Sequence, residues 1–201
     1  LYCKERHAMY QSHGYSDSIL QVMSDNYSHK RNSKTSIVKI TDVLHRFSVE
    51  HMKSAFYLNE SQNAYLLPDK GDRCEFDQFK RMFAIEMRSS EAEQGKLPDI
   101  VIKINGEYYI VEAKMMKGTG GGQDKQLVEI INFIRFAELD KRIHYLTYLD
   151  GEYADMLFAA KRTPKIQRQY DDLVGCLTAN PCNYFVNPAG FERLMSTLLG
   201  A

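Results

Sequence analysis

No apolar run in this 201-residue sequence approaches the roughly 20 residues that a bilayer-spanning helix needs. The longest, Ile100 to Ile104 and Tyr108 to Ala113, read as short elements of a soluble chain with no membrane contact. The start of the sequence lacks a charged segment followed by an apolar core and a small-residue cleavage site, so export is not expected. The four cysteines, Cys3, Cys74, Cys176 and Cys182, lack the short paired spacing of a zinc site or a redox motif. They read as buried or incidental thiols, in keeping with a cytoplasmic location. Six histidines are dispersed without i, i+4 spacing, which removes support for a zinc protease or hydrolase. Acidic and basic residues balance at 26 each, so no global positive field recruits a polyanion. Any contact with nucleic acid has to come from local patches.

With 44% hydrophobic and 26% charged residues, the chain can bury one substantial core. Residues 1–34 are rich in Tyr, Ser, His and Asn and read as loosely helical. Ile37, Ile40, Val43, Leu44, Phe47 and Met52 recur at helical spacing and predict an amphipathic helix from Ile37 to Phe56. A polar loop is expected to about Arg73. Between Glu75 and Met87, helical spacing gives way toward alternation. Asp99–Ile104 and Glu107–Lys114 are β-branched and aromatic runs around Asn105-Gly106, a pair suited to the positive φ angles of a two-residue hairpin turn. A glycine-rich turn, Gly118 to Gly122, leads into a helix over Gln123–Leu139. A strand at Ile143–Leu149, a helix at Lys165–Leu177, a strand at Tyr184–Val186 and a helix at Ala189–Leu199 complete the pattern. The expectation is an α/β fold with a small mixed sheet flanked by helices. Residues 1–73 would form a mainly helical region packed on a core of 74–201, in one compact domain.

The hairpin carries the chemistry. A two-residue turn places Ile104 opposite Glu107, and the same register places Asp99 opposite Glu112. Directly opposed residues bring their Cβ atoms to about 4.5–5.5 Å, close enough for two carboxylates to share a cation that relieves their repulsion. Side chains alternate along a strand, so Lys114 lies on the face of Glu112. Hard oxygen ligands of this kind suit Mg²⁺, with Mn²⁺ as a substitute. A neighbouring ammonium can polarise a water or balance charge on phosphorus. The plain structural alternative is a surface ion pair on an exposed hairpin.

Leu97-Pro98-Asp99, followed after the hairpin by Val111-Glu112-Ala113-Lys114, resembles the PD-(D/E)xK signature of restriction endonucleases and related nucleases. The resemblance covers roughly Glu75 to Leu149 and implies a restriction-endonuclease-like core. It also implies that Asp99, Glu112 and the backbone carbonyl of Ala113 bind the metal, and that Lys114 assists the nucleophilic water. The family often adds an acid from a preceding element, here Glu86 or Glu75, with Glu86 preferred. Gln126 matches a position where some members place a glutamine near the site, and it reads equally as a surface residue.

The implied activity is Mg²⁺-dependent endonucleolytic cleavage of DNA, double-stranded before single-stranded, with a homodimer or a separate recognition domain as partner. Cleavage of RNA or of branched and repair DNA, and a non-catalytic nucleic-acid-binding module, are the competing readings. Lys161, Arg162, Lys165 and Arg168, the cluster with Lys30 and Arg31, and Lys117 are the candidates for phosphate contact. A solvated charged face explains each cluster as well. Gly118 to Gly122 serves either close approach to a phosphate backbone or a simple strand-to-helix turn, and it lacks the Walker lysine and serine.

Overall fold

The computed structural model describes residues 35–68, 73–87, 97–118 and 121–200. The expected helical character of 1–34, with Lys30 and Arg31, lies outside them. The chain divides after Thr35, and the architecture below is that of the unit from Ser36 onward.

The first helix among the described residues, α1 over 35–46, is shorter than its apolar spacing predicts. Ser48 adopts a φ of 58°, and the N–H groups of Ser48 and Val49 return to the carbonyls of His45 and Leu44, which closes the helix. The rest of the expected helix becomes strand β1 (Glu50–His51) and helix α2 (Ala55–Glu60), whose first turn is capped by Ser54. The expected polar loop contains strand β2 (Asn63–Leu66). Helix α3 (Arg73–Phe83) follows, then the hairpin β3 (Ile100–Ile104) and β4 (Glu107–Met115), helix α4 (Gly121–Phe133) and strand β5 (Ile143–Asp150). Helices α5 (Glu152–Phe158) and α6 (Pro164–Ala179), strand β6 (Tyr184–Val186) and helix α7 (Pro188–Leu199) end the described chain.

The six strands form one mixed sheet in chain order, β1 to β6. β2–β3 and β3–β4 are antiparallel, while β1–β2, β4–β5 and β5–β6 are parallel. The sheet therefore runs across residue 73, where a boundary between two regions was expected. Parallel neighbours need crossovers, supplied by α4 between β4 and β5 and by α5 with α6 before β6.

Both faces of the sheet are covered, which explains why β3 reads as a nearly continuous apolar run. On one face, Val101, Tyr108, Ile110, Tyr145 and Leu149 pack with α2 through α6, using Leu58, Phe79, Leu127, Ile130 and Leu173 among others. On the other, Ile100, Ile102, Ile104, Tyr109, Val111, Leu146 and Tyr148 pack with Ile40 and Leu44 of α1 and Phe191 and Met195 of α7. Among the described residues no helix is long and apolar enough to cross a membrane.

Two glycines are required by geometry. Asn105 and Gly106 have φ of 51° and 88°, the positive pair expected of the two-residue turn. Gly151 has a φ of 95°, and a Cβ there would lie 2.5 Å from the carbonyl oxygen of Met116. That close approach lets Met116 bond the carbonyl of Asp150 and accept from Tyr153 N–H, which locks together the ends of β4 and β5.

Candidate active site

The turn fixes the register of the hairpin. Ile104 faces Glu107 and Ile100 faces Val111, as the sequence predicts. Carried one residue further, this pairing leads to Asp99 and Glu112, but regular strand pairing stops at Ile100 and the chain bends at Asp99. The Asp99 N–H donates to the Val111 carbonyl at 3.0 Å, and Asp99 Oδ2 accepts from Ala113 N–H at 2.8 Å. Asp99 thus grips β4 on both sides of Glu112, its backbone at one neighbour and its carboxylate at the other.

Glu112 is buried on the face covered by α4, since it alternates with Tyr108 and Ile110. Lys114, two residues on, turns to the same face, and its Nζ lies 2.9 Å from Glu112 Oε1. The side chains of Glu112 and Lys114 are 5% and 26% exposed, so the acid is buried and the base is partly open to solvent. Thr147 of β5 is the lateral neighbour of Glu112, and it donates its hydroxyl to the Ile130 carbonyl at 2.9 Å, which pins α4 over the sheet.

Among the described residues no three His, Cys, Asp or Glu side chains converge on one metal position. A cation at this hairpin would have the carboxylates of Asp99 and Glu112 to draw on, with the Ala113 carbonyl as the further oxygen that the resemblance implies. Two hard oxygens with water completing the shell are the environment in which Mg²⁺ is commonly held beside phosphates, so the residues present fit that ion.

The remaining candidates are dispersed. Glu86 is exposed in the segment after α3, between the buried Ile85 and Met87. Glu75 accepts from Ala55 N–H at 2.8 Å and so holds the start of α2. Gln126 is exposed on α4. Lys117 is exposed beyond the end of β4. In the basic stretch, Lys161 and Arg168 are exposed. Arg162 donates to the Leu157 carbonyl and stacks 3.6 Å from the centre of the Tyr170 ring, while Lys165 pairs with Asp124 at 2.6 Å. That hydrogen bond from Lys165 holds the Asp124 carboxyl below the usual carboxylate range.

Sequence reasoning missed Glu138. Its buried carboxylate accepts from Met87 N–H at 3.0 Å, from Glu86 N–H at 3.2 Å and from the Tyr145 hydroxyl. Burial, and next the hydrogen bond to Glu138, push the Tyr145 hydroxyl far above its ordinary value. Two of the three donors are backbone N–H groups some fifty positions away, and no local pattern announces them. Lys103 is also buried and donates to the Asn59 carbonyl near the end of α2; desolvation lowers its pKa.

No protein-family model, curated protein or solved structure matches this chain. The meaning of the site rests on its own geometry.

Proposed function

We propose that this chain is a Mg²⁺-dependent endonuclease that hydrolyses DNA phosphodiester bonds on a restriction-endonuclease-like core. The observation that carries the reading is the ion pair of Lys114 with the buried Glu112, formed beside an Asp99 that is fastened to the next residue of the same strand. Burying a carboxylate is costly unless something compensates it, and a surface hairpin has no need to bury one. The order of antiparallel hairpin, crossover helix and parallel strand, β3–β4–α4–β5, supports the same reading.

Asp99 and Glu112 would hold the cation between them. Bound there, Mg²⁺ would acidify a water and balance charge developing on phosphorus. Lys114 stands close enough to Glu112 to donate to the attacking water or to a phosphoryl oxygen, where a positioned charge counts most in the transition state. Exposed Lys161 and Arg168 are the members of the basic stretch with capacity for phosphates. Cutting both strands of a duplex calls for two such centres, which a homodimer would supply.

The test is cleavage of plasmid and short duplex DNA with Mg²⁺, with Ca²⁺ and in excess EDTA. Single-stranded RNA and branched DNA serve as further substrates. Cleavage with Mg²⁺ alone is expected, and undiminished cleavage in EDTA refutes the mechanism. Preferential cutting of RNA or of branched DNA would move the assignment to that substrate. Tight binding without cleavage of any substrate would make the chain a binding module.

A further inference from the structure

We propose that Lys114 is the built-in counter-ion of Glu112 and yields that place when a divalent cation binds, so that cation uptake releases the ammonium toward the substrate. The proposal rests on the reading of this hairpin as a cation site, and it adds how the site is filled.

The geometry is that of a fixed acid and a movable base. Glu112 lies in a strand that is paired on both sides, and its side chain is 5% exposed. Lys114 reaches it on a flexible four-carbon stem from a position 26% exposed, near the end of β4. Thr147, directly beside Glu112, commits its hydroxyl to Ile130, so the helix above the acid stays in place whether or not the lysine moves.

A divalent ion on the Glu112 carboxylate would meet the Lys114 ammonium within a few ångströms of the same oxygens. Two cations served by one carboxylate repel each other, strongly so where water is scarce. Their binding is then coupled, and coupling is reciprocal: the ion weakens the hold on Lys114 by the factor by which Lys114 weakens the hold on the ion. A lysine fixed in place would repel the ion as well. What the exchange adds is that the ammonium leaves Glu112 when the ion binds, which nitrogen NMR of the Lys114 Nζ with and without Mg²⁺ reads directly. An Nζ signal unmoved by Mg²⁺ overturns it.

Mg²⁺ is titrated calorimetrically into the whole chain without nucleic acid, for the wild type, Lys114→Met, Lys114→Arg and Glu112→Gln. Thermal unfolding is followed with and without Mg²⁺, with NaCl added to equal ionic strength. Lys114→Met is expected to melt below the wild type without Mg²⁺ and to bind Mg²⁺ about tenfold more tightly, an ordinary size for coupling between sites. Its melting temperature should then rise more on adding Mg²⁺ than that of the wild type. Lys114→Arg keeps the charge and should bind Mg²⁺ like the wild type. Equal or weaker Mg²⁺ affinity in Lys114→Met, with the wild type binding normally, overturns the exchange and leaves the cation site standing. A wild type that takes up no more Mg²⁺ than Glu112→Gln refutes the cation site itself, and the exchange with it. Should Lys114→Met be unfolded without Mg²⁺, refolding by Mg²⁺ but not by NaCl supports the exchange. Failure to refold beside a wild type that binds the ion overturns it.

Discussion

Glu112 and Glu138 are both buried carboxylates, and they are buried in different ways. Glu138 is met by donors that belong to the fold, two backbone N–H groups and the Tyr145 hydroxyl, none of which can leave without breaking the structure. Glu112 has among its contacts an ammonium on a flexible stem that is 26% exposed. Burial of an acid is therefore a poor guide to function by itself. The mobility of its partner is the better one, and on the function proposed above it separates Glu138, held by the scaffold, from Glu112, the proposed cation ligand.

The largest expected effect tests the chemical half of that contrast. Lys114→Ala should lower the cleavage rate under saturating DNA about a hundredfold or more while leaving DNA affinity nearly unchanged, the signature of a group that acts on the transition state. Wild-type turnover in that variant would return the pair to the status of a structural contact. Next in size is the scaffold half. Glu138→Gln keeps the shape but turns an amide toward a backbone donor, and denaturant unfolding should show a loss of about 1–3 kcal/mol. Glu112→Gln should cost less stability than Glu138→Gln, because Lys114, 26% exposed, can turn to water, yet it should abolish cleavage. The contrast breaks if these two outcomes are exchanged.

Alkaline pH sharpens it further. Burial, then the bond to Glu138, hold Tyr145 protonated in the folded chain, whereas an unfolded tyrosine titrates at about 10. Above that pH the unfolded state sheds a proton that the native state keeps, so stability is intact below about pH 10 and falls beyond it. Tyr145→Phe should make that fall shallower by up to about 1.4 kcal/mol per pH unit, read from unfolding curves at pH 9 to 11. An unchanged slope would mean that Tyr145 does not stay protonated in the native state.

The smallest effects concern the basic stretch. Lys165 is engaged with Asp124 and Arg162 with Tyr170 and a carbonyl, whereas Lys161 and Arg168 are exposed. Replacing Lys161 and Arg168 by Ala should flatten the salt dependence of DNA binding by roughly one unit of slope per lost phosphate contact. Replacing Lys165 should flatten it less and cost under about 1 kcal/mol of stability, as an exposed pair does. Equal slopes for both variants would show that DNA displaces Asp124 from Lys165.

What the sequence made legible follows from the range of the interactions involved. The hairpin and its register were readable because Asn105-Gly106 dictates them locally, and β5, β6 and α7 because apolar spacing or length marks them. α4 was legible as a helix, but it begins at Gly121 inside the expected glycine turn and ends at Phe133 rather than Leu139. β2 was hidden: four residues are too few to show a period, and it is a strand because β3 lies alongside. The helix expected to Phe56 ends ten residues early at a left-handed Ser48, a backbone state that serine does not advertise. The same division holds at the site. Lys114 and Glu112 meet by strand alternation alone, whereas the bend at Asp99 and the whole environment of Glu138 depend on partners that sequence spacing does not reveal.

Asp99, Glu112 and Lys114 all lie on one hairpin of local pairings, and this bears on the order in which the site forms. A hairpin closes in about 1–10 μs, whereas the parallel pairing of β4 with β5 waits until α4 has crossed the sheet. The hairpin register that sets Asp99 against β4 is therefore expected first, and Glu112 is buried only when α4 and β5 arrive. In stopped-flow experiments, trimming Ile102 to Val should slow folding, whereas trimming Leu146 to Ala should chiefly speed unfolding. The order of those two steps is the order in which the hairpin forms and Glu112 is then buried.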